Sequence, residues 1–455
     1  MSVIVIDHCE ISPPSGSVSS MSLPLTIFDI FWLPFPSFQR LFFYQLHHSK
    51  AYFTETILPN IKHSLSLTLQ DFFPLCGNLA WPLDCSNPEI RYVDGDFASF
   101  YVAESDYDFD TLCRSNATSA NAFFPLAPKL LHKSTKELLV PLMAFQVTLF
   151  PNKGICIGIT FNHVVADGRI LHHFIKSWAS MCKLEGNEKH TSLLPYYDRS
   201  TVNKNPAWVD TACLNYMKKS NITRETFLNV KDNHADPTGK VLATFVMTPC
   251  SIKRLRRGIL SRIDNETLHL SAFVLTCAYV WCCLIKAKWG DIDASEDDNE
   301  QFIYSVDSSS RLDPPLPITY FGNCITPFLL ETKRSYLLGK DGMLIAAKLI
   351  GNSIQAIENG DALFKQNEWF LSNTVSTGRV VIVAGATKFG IYDTEFGWGK
   401  PKKSESITII NSGSISLSEC PSEVGGVEVG LARSISEMEA FASMFETFIE
   451  SFSIE

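Results

Sequence analysis

Positive charge is scarce in this chain. Lys and Arg total 39 against 48 acidic residues over 455 positions, a formal charge of −9, which excludes an extended surface that tracks nucleic-acid phosphates. A local basic patch for a small phosphorylated ligand remains compatible with that balance. Charged residues make up only 19% and apolar residues 45%, so disorder is excluded as an overall description. Near Met1 no basic flank leads into an apolar run, and Asp7 and Glu10 interrupt the segment, so no secretory leader is expected. The longest apolar run, residues 270–285, is short for a membrane span and is broken by Ser271, Thr276 and cysteines, so it reads as a buried core helix. A cytoplasmic location and no membrane partner follow. The 13 cysteines include no C-x-x-C pair, and the adjacent Cys282 and Cys283 are poor partners for each other. Free, mostly buried thiols in a reducing compartment are expected. H-E-x-x-H and G-x-S-x-G are both missing, which removes the usual zinc-protease and serine-hydrolase arrangements.

The length is that of two domains, placed at residues 1–190 and 223–455 with a crossover over 191–222, where Pro195, Asp198 and Pro206 weaken any periodic pattern. Residues 25–31 and 40–46 read as short strands. Residues 51–70 carry Phe53, Ile57, Ile61, Leu65 and Leu69 at four-residue steps, one buried helix face that Pro59 bends or divides. Residues 138–149 and 154–161 read as a hairpin around Pro151-Asn152, and 168–183 as a helix. In the second half a strand is expected near Val241, then basic helical material from Ser251, the core helix, a helix over 342–357 and a last amphipathic helix over 437–452. Residues 290–300 carry only negative charge and read as an exposed loop.

Between hairpin and helix stands His163-Val164-Val165-Ala166-Asp167, followed by Gly168. A histidine at a strand end and turn is held rigidly yet can face a cavity, as a general base requires. Asp167 either reaches back to orient the ring or shapes the turn; the spacing alone leaves both open. His163, Asp167, His172 and His173 also carry metal-donor atoms, but the later histidines lie on a separate helical stretch, so no metal is expected. Without a nucleophile elbow, His163 is expected to act on an incoming hydroxyl. Glu395-Phe396-Gly397-Trp398-Gly399 reads as a tight loop pinned by a large aromatic. In Tyr320-Phe321-Gly322-Asn323-Cys324, the Gly322-Asn323 pair reads as a pocket wall or strand start. The densest basic cluster is Lys253, Arg254, Arg256 and Arg257, with Lys388 near the later loop.

Taken together, these motifs resemble the plant BAHD family of coenzyme A-dependent acyltransferases. His163 to Gly168 matches its H-x-x-x-D-G motif, and Glu395 to Gly399 matches D-F-G-W-G except at the first residue. Tyr320 to Cys324 matches the Y-F-G-N-C motif of the branch that acylates anthocyanins and other flavonoid or phenolic glycosides. The resemblance runs through Leu23 to Trp32, Phe73 to Gly77 and Glu428 to Gly430, nearly the whole chain.

That resemblance implies an α/β fold of two similar-sized mixed-sheet domains with a central channel, into which acyl-CoA and acceptor enter from opposite ends to meet at His163. It implies that Asp167 points away from the site and maintains its shape. The co-substrate is acyl-CoA, with no tightly bound cofactor, and the acceptor is a glycosylated phenolic met by a monomeric enzyme. Lys253, Arg254, Arg256, Arg257 and Lys388 are the candidates for CoA phosphates. Malonyl and hydroxycinnamoyl are the leading donors; Leu171 stands where some malonyl-using members carry a basic side chain. A catalytically weakened binding protein is the rival class. Two positions depart from the family pattern: Glu395 replaces an aspartate, and Ser309 stands where that carboxylate's arginine partner is usual. The longer Glu395 is therefore expected to reach Arg311.

Overall fold

The computed structural model describes residues 1–82, 87–131, 133–134, 138–185, 193–204, 206–227, 236–263, 268–290, 298–357, 360–373, 380–385 and 387–452. The fold is α/β, built on three sheets. A six-stranded sheet runs in the order Val3–Ile11, Ala98–Ser105, Met143–Phe150, Gly154–Phe161, Phe38–Gln45 and Lys403–Ser406. A seven-stranded sheet contains Asn299–Asp307, Ile325–Lys333, Val380–Gly385, Ile415–Glu419, Val427–Ser434, Lys240–Met247 and Thr118–Ser119. A smaller five-stranded sheet includes Met21–Pro24, Asn78–Trp81 and Leu138–Pro141.

The hairpin that leads to His163 lies at the centre of the six-stranded sheet. Met143–Phe150 and Gly154–Phe161 pair antiparallel over their whole length, and every residue of both strands is buried. Cover on both faces explains why they read as continuous apolar runs instead of alternating ones. The turn between them is made by Asn152, whose φ of 59° asparagine tolerates better than most residues. One face packs on the helices Leu58–Asp71 and Gly168–Lys183, where Trp178 is fully buried and donates its indole N–H to Ile61 O at 3.3 Å.

A second core surrounds the helix Ala272–Trp289, whose N-cap Ser271 accepts from the Val274 amide. By length and composition this helix could cross a membrane, yet 61% of it is buried inside the protein. The described cysteines carry free thiols, most of them buried.

Three local expectations are corrected. Residues 25–31 are not a strand: Met21–Pro24 pairs in the small sheet, and Ile27–Ile30 is helical. Thr26 and Asp29 form a capping box, with the Asp29 carboxylate accepting the Thr26 amide at 2.9 Å and hydroxyl at 2.8 Å, and this overrides the β-propensity of Ile and Phe. The strand expected over 138–149 divides at Leu142 into members of two sheets, beside Pro141, which has no N–H to continue a ladder. Of the acidic stretch 290–300, residues 291–297 lie outside the described residues, but Glu300 is buried in a strand and takes a 2.7 Å hydrogen bond from Arg334 Nε. Arg334 also lies 4.0 Å over the Trp289 ring, so its guanidinium supplies both the counter-charge and the packing that let a carboxylate enter the core. Pro59 falls in the first turn of Leu58–Asp71, directly after a π-helical turn over Phe53–Ile57, so the widened turn absorbs the proline.

Two strand pairings cross between the halves of the sequence. Lys403–Ser406 adds an edge to Phe38–Gln45, and Thr118–Ser119 pairs with Lys240–Met247. Near the first crossing, Tyr392 and Ser418 donate their hydroxyls to Glu428 Oε2 at 2.7 and 3.2 Å.

Gly158 approaches a neighbouring backbone so closely that an added Cβ would lie 2.1 Å from Leu126 O. Gly158→Ala should therefore lower stability by about 1–3 kcal/mol, read as a lower midpoint in thermal or urea unfolding. Burial pushes the Glu428 carboxyl up to about 6 from its usual 4.5, so folding disfavours its charged form. That cost is full above the folded value and vanishes below the unfolded one. Urea unfolding at pH 8, 6 and 4.5 should show Glu428→Gln more stable than wild type at pH 8, with the gap closing as pH falls; the opposite slope would reject the assignment.

Candidate active site

Local hydrogen bonds fix the end of the Gly154–Phe161 strand. Asn162 N–H donates to Leu142 O at 2.9 Å, Val165 N–H returns to Asn162 O at 3.1 Å, and Asn162 Oδ1 accepts from the Val164 amide at 3.2 Å. Two positions later Asp167 caps the helix Gly168–Lys183, its Oδ1 accepting the amides of Arg169 and Ile170 at 3.0 and 3.1 Å. His163 is thus clamped between a strand end and a helix cap.

The ring lies among aromatics. Trp32 stacks on it at 3.7 Å between centroids, and Phe38 meets it at 4.5 Å. It is 8% exposed, so an incoming group would meet it with little surrounding water. Its Nδ1 is 3.1 Å from Asn323 Oδ1. Which atom of the amide is oxygen follows from its surroundings: Asn323 Nδ2 faces only acceptors, namely Asp29 Oδ1 at 2.9 Å, His163 O at 2.8 Å and Val164 O at 3.1 Å. The amide oxygen therefore faces the ring, and Nδ1 must carry the proton to make that bond. In the neutral ring this leaves the lone pair on Nε2, the form a general base requires. A transient positive charge on the ring would lie against the π-face of Trp32, which favours it.

Behind Asn323 is a buried charge pair. Asp29 Oδ2 takes a 2.9 Å bond from Arg199 Nη1, with both side chains almost wholly inaccessible. Arg199 Nη1 also donates to Pro24 O at 2.7 Å. Asp29 further accepts the Asn323 amide N–H at 3.1 Å. The site thus combines residues from the strand end at 162, the short helix at 27–30, the segment at 199 and the loop at 323.

Asp167 turns to the helix and to the loop: its Oδ2 accepts the Cys324 amide at 3.1 Å. Of the two sequence alternatives, the structure has the one in which Asp167 shapes the turn. Burial raises its carboxyl above the usual aspartate range, opposed by the nearby Arg169 guanidinium and by its own amide donors. His172 and His173 do not converge on His163. His172 Nδ1 bonds Gly168 O at 2.5 Å, its ring stacks on Phe389, and burial holds it neutral with a value near 3; His173 meets Phe72. Among the described residues no group of three or more His, Cys, Asp or Glu side chains is placed to hold a metal.

The family model described as the Transferase family matches residues 1–448. A malonyl-coenzyme A:anthocyanin 3-O-glucoside-6''-O-malonyltransferase of Dahlia pinnata is 38% identical, over 98% of this chain and 97% of its own. The chain belongs to the BAHD acyltransferase family. It is an acyl-CoA-dependent O-acyltransferase. A second BAHD relative, a coumaroyl-CoA:anthocyanidin 3-O-glucoside-6''-O-coumaroyltransferase of Arabidopsis thaliana, is 37% identical over 98% of each chain. The crystal structure of vinorine synthase shares the fold, with a TM-score of 0.69 and 19% identity over 96% of both chains.

The BAHD loop at 395–399 departs from expectation in its partners. Glu395 pairs with Lys183 at 2.8 Å, at the end of the helix that Asp167 begins, and both side chains are partly exposed. Arg311 instead donates to Asp307 O at 2.6 Å. The expected Glu395 to Arg311 pair is therefore not formed: Arg311 folds back on its own strand end, and Lys183 satisfies the carboxylate. The loop is pinned by Phe396, buried edge-on against Trp178 at 4.9 Å and Tyr44 at 5.6 Å, while Trp398 stacks over it. Gly397 and Gly399 take φ of 107° and 101°, which explains the two glycines.

The basic candidates separate in space. Lys253, Arg254, Arg256 and Arg257 lie on the helix Pro249–Leu260, which packs in the second core, and Arg256 is committed to Leu270 O at 2.9 and 3.2 Å. Lys388 is exposed and adjoins Phe389, whose ring abuts Gly168 at the start of the site helix. Sequence reasoning missed the roles of Asn323, Trp32, Asp29 and Arg199. Asn323, Trp32 and Asp29 sat inside quoted stretches, whereas nothing local marked Arg199.

Asn323→Ala removes the acceptor for Nδ1 and frees the ring to turn. Turnover should fall about 10- to 100-fold with KM for acyl-CoA little changed, measured by steady-state kinetics on protein whose fold is checked by circular dichroism. Wild-type kcat in that variant would show that the ring is oriented by other contacts.

Proposed function

We propose that this acyltransferase moves a malonyl or hydroxycinnamoyl group from coenzyme A to a sugar hydroxyl of an anthocyanin, flavonoid or other phenolic glycoside. The observation that carries the chemistry is the His163 ring with Nδ1 engaged by Asn323 Oδ1. The substrate class rests on the relatives, whose donors include both malonyl-CoA and coumaroyl-CoA and whose acceptors are anthocyanin glucosides. The reading includes two mixed-sheet domains with a channel between them and a cytoplasmic monomer.

In this reading His163 Nε2 takes the proton from the acceptor hydroxyl as its oxygen attacks the thioester carbonyl carbon. The tetrahedral oxyanion collapses, the C–S bond breaks, and the imidazolium returns the proton to the CoA thiolate, leaving an ester and free CoA. General-base assistance of this kind is worth roughly 10²–10⁴ in rate. No acyl-enzyme is needed. Asp167 positions the loop without touching substrate, and Lys388 is better placed than the helix Pro249–Leu260 to meet a CoA phosphate, because it adjoins Phe389 beside Gly168.

His163→Ala should lose turnover by roughly the 10²–10⁴ assigned to the base while still binding acyl-CoA, the first read by thiol release and the second by calorimetry. Near-wild-type turnover would refute the assignment. Malonyl-, acetyl- and coumaroyl-CoA tested against a panel of phenolic glucosides, with product masses recorded, identifies donor and acceptor. Thiol release that needs no acceptor, or none with any pair, would sink the reading.

A further inference from the structure

The seven-stranded sheet is parted along half of two of its strands. Val380–Gly385 pairs with Asn299–Asp307 through residues 380–382, and with Ile415–Glu419 only through residues 383–385. Val427–Ser434 meets Ile415–Glu419 only through residues 427–430; its residues 431–434 pair on the other side alone, with Lys240–Met247. No described strand therefore lies between residues 380–382 and 431–434. In a sheet that keeps its strand spacing the two facing edges stand about 10 Å apart, a slot one strand wide. A cleft of about 180 Å³ opens there. Val380 and Val381 line it from one edge and Arg433 from the other, with Leu284 of the helix Ala272–Trp289 and Phe441 of the helix Ile435–Thr447 as further apolar walls. Leu284, Val381 and Phe441 belong to the second core, whereas Val164 and Val165, next to His163, stand in the first.

The charges around the cleft do not balance. Of its two acids, Glu300 is answered by Arg334 Nε at 2.7 Å. Glu437 turns to its own helix cap, where Oε2 accepts the Ser434 hydroxyl at 2.7 Å and amide at 3.1 Å. Those bonds hold its carboxyl below the usual range, helped by Arg433 and Lys288. Two cations thus share one acid, and one positive charge is left over. Arg433 is half-buried, and among the described residues its one hydrogen bond runs from Nη1 to Ala432 O at 2.8 Å. Lys288 is exposed, its Nζ 5.0 Å from the centre of the Trp289 ring. We propose that this cleft is a second ligand site, for a carboxylate carried on a single apolar ring, a monoanion of the benzoate class. The carboxylate takes Arg433 Nε and Nη2 as a two-pronged donor, Lys288 adds charge, and the ring enters the slot against Val380, Leu284 and Phe441. Size agrees, since a cavity of about 150 Å³ takes up benzene, whereas larger ligands need roughly 300 Å³ or more. Coenzyme A is therefore excluded from it.

Binding here is read without turnover, so the test does not depend on which acyl group or acceptor the enzyme uses. Benzoate, benzamide and inorganic phosphate are titrated by calorimetry, with coenzyme A in excess, into wild type, His163→Ala, Arg433→Met, Lys288→Met and Ala440→Phe. Circular dichroism checks each fold. Benzoate should bind wild type and His163→Ala equally, and benzamide and phosphate should bind at least about tenfold more weakly, since neither offers both the charge and the ring. Arg433→Met should weaken benzoate about 10- to 100-fold, as expected for lost hydrogen bonds to a charged group. Lys288→Met should weaken it less, and Ala440→Phe, which grows a ring from the cleft wall, should abolish binding. Turnover of the three cleft variants should stay within about twofold of wild type, as for a site independent of the catalytic one. The proposal is overturned if wild type does not bind benzoate, if the three cleft variants bind it as wild type does, or if His163→Ala loses it. Benzamide or phosphate binding as tightly as benzoate overturns it too. Should Arg433→Met fail to fold, the exposed positions Lys288 and Ala440 decide the matter.

Discussion

The structure depends on one side-chain amide. Asn323 donates to the Asp29 carboxylate and to the carbonyls of His163 and Val164, and it accepts from the His163 ring. Because Asn323 is neutral, it can orient the imidazole without offering it a second negative charge. The full charge lies one step further back, on Asp29, where Arg199 already neutralises it. The arrangement differs from a serine-protease triad, in which a carboxylate bonds the imidazole directly and stabilises its cation. Here the ring is oriented by an amide, and the aromatic face of Trp32 lies stacked against it.

The Asp29 and Arg199 pair is a stringent element. Buried ion pairs return little net stability because both ions lose their water, but removing one partner leaves an uncompensated charge. What this pair contributes is register. It holds the segment around Pro24, the short helix Ile27–Ile30 and the segment around Arg199 at one point, and Asn323 docks onto that point. Tyr320, Phe321 and Cys324 are part of the same core as the central hairpin and the helix Gly168–Lys183, so the loop reaches the ring as part of a packed interior.

How much of this could be read in the sequence depends on the range of the interactions. The hairpin and the helix after Asp167 are local, and apolar runs with turn residues and helical spacing reveal them, whereas the spacing left open whether Asp167 orients the ring or shapes the turn, and its bonds to the Arg169, Ile170 and Cys324 amides decide for the turn. The loop at 395–399 was legible as a tight turn, although its pin is Phe396. Residues 25–31 were misread because a capping box formed by two side chains outweighed the strand preference of their neighbours. Glu300 was misread because Arg334, its compensating charge, lies 34 positions away in sequence. Asn323 meets His163 across 160 positions, and Asp29 meets Arg199 across 170. Neither contact leaves a periodic trace, since a single polar residue in an irregular segment looks the same whether it faces water or a buried partner.

The strand Lys403–Ser406 and the loop ending at Cys324 both come from the second half of the chain and complete structure begun in the first. During synthesis from the N-terminus, His163 is exposed to its surroundings long before either segment exists. Until then Phe38–Gln45 has an open edge on one side, and the ring lacks the amide that sets its proton. The nascent first half is therefore an unguarded strand template until residues 403–406 pair with it, and its His163 ring has no amide to orient it until residue 323 has been made.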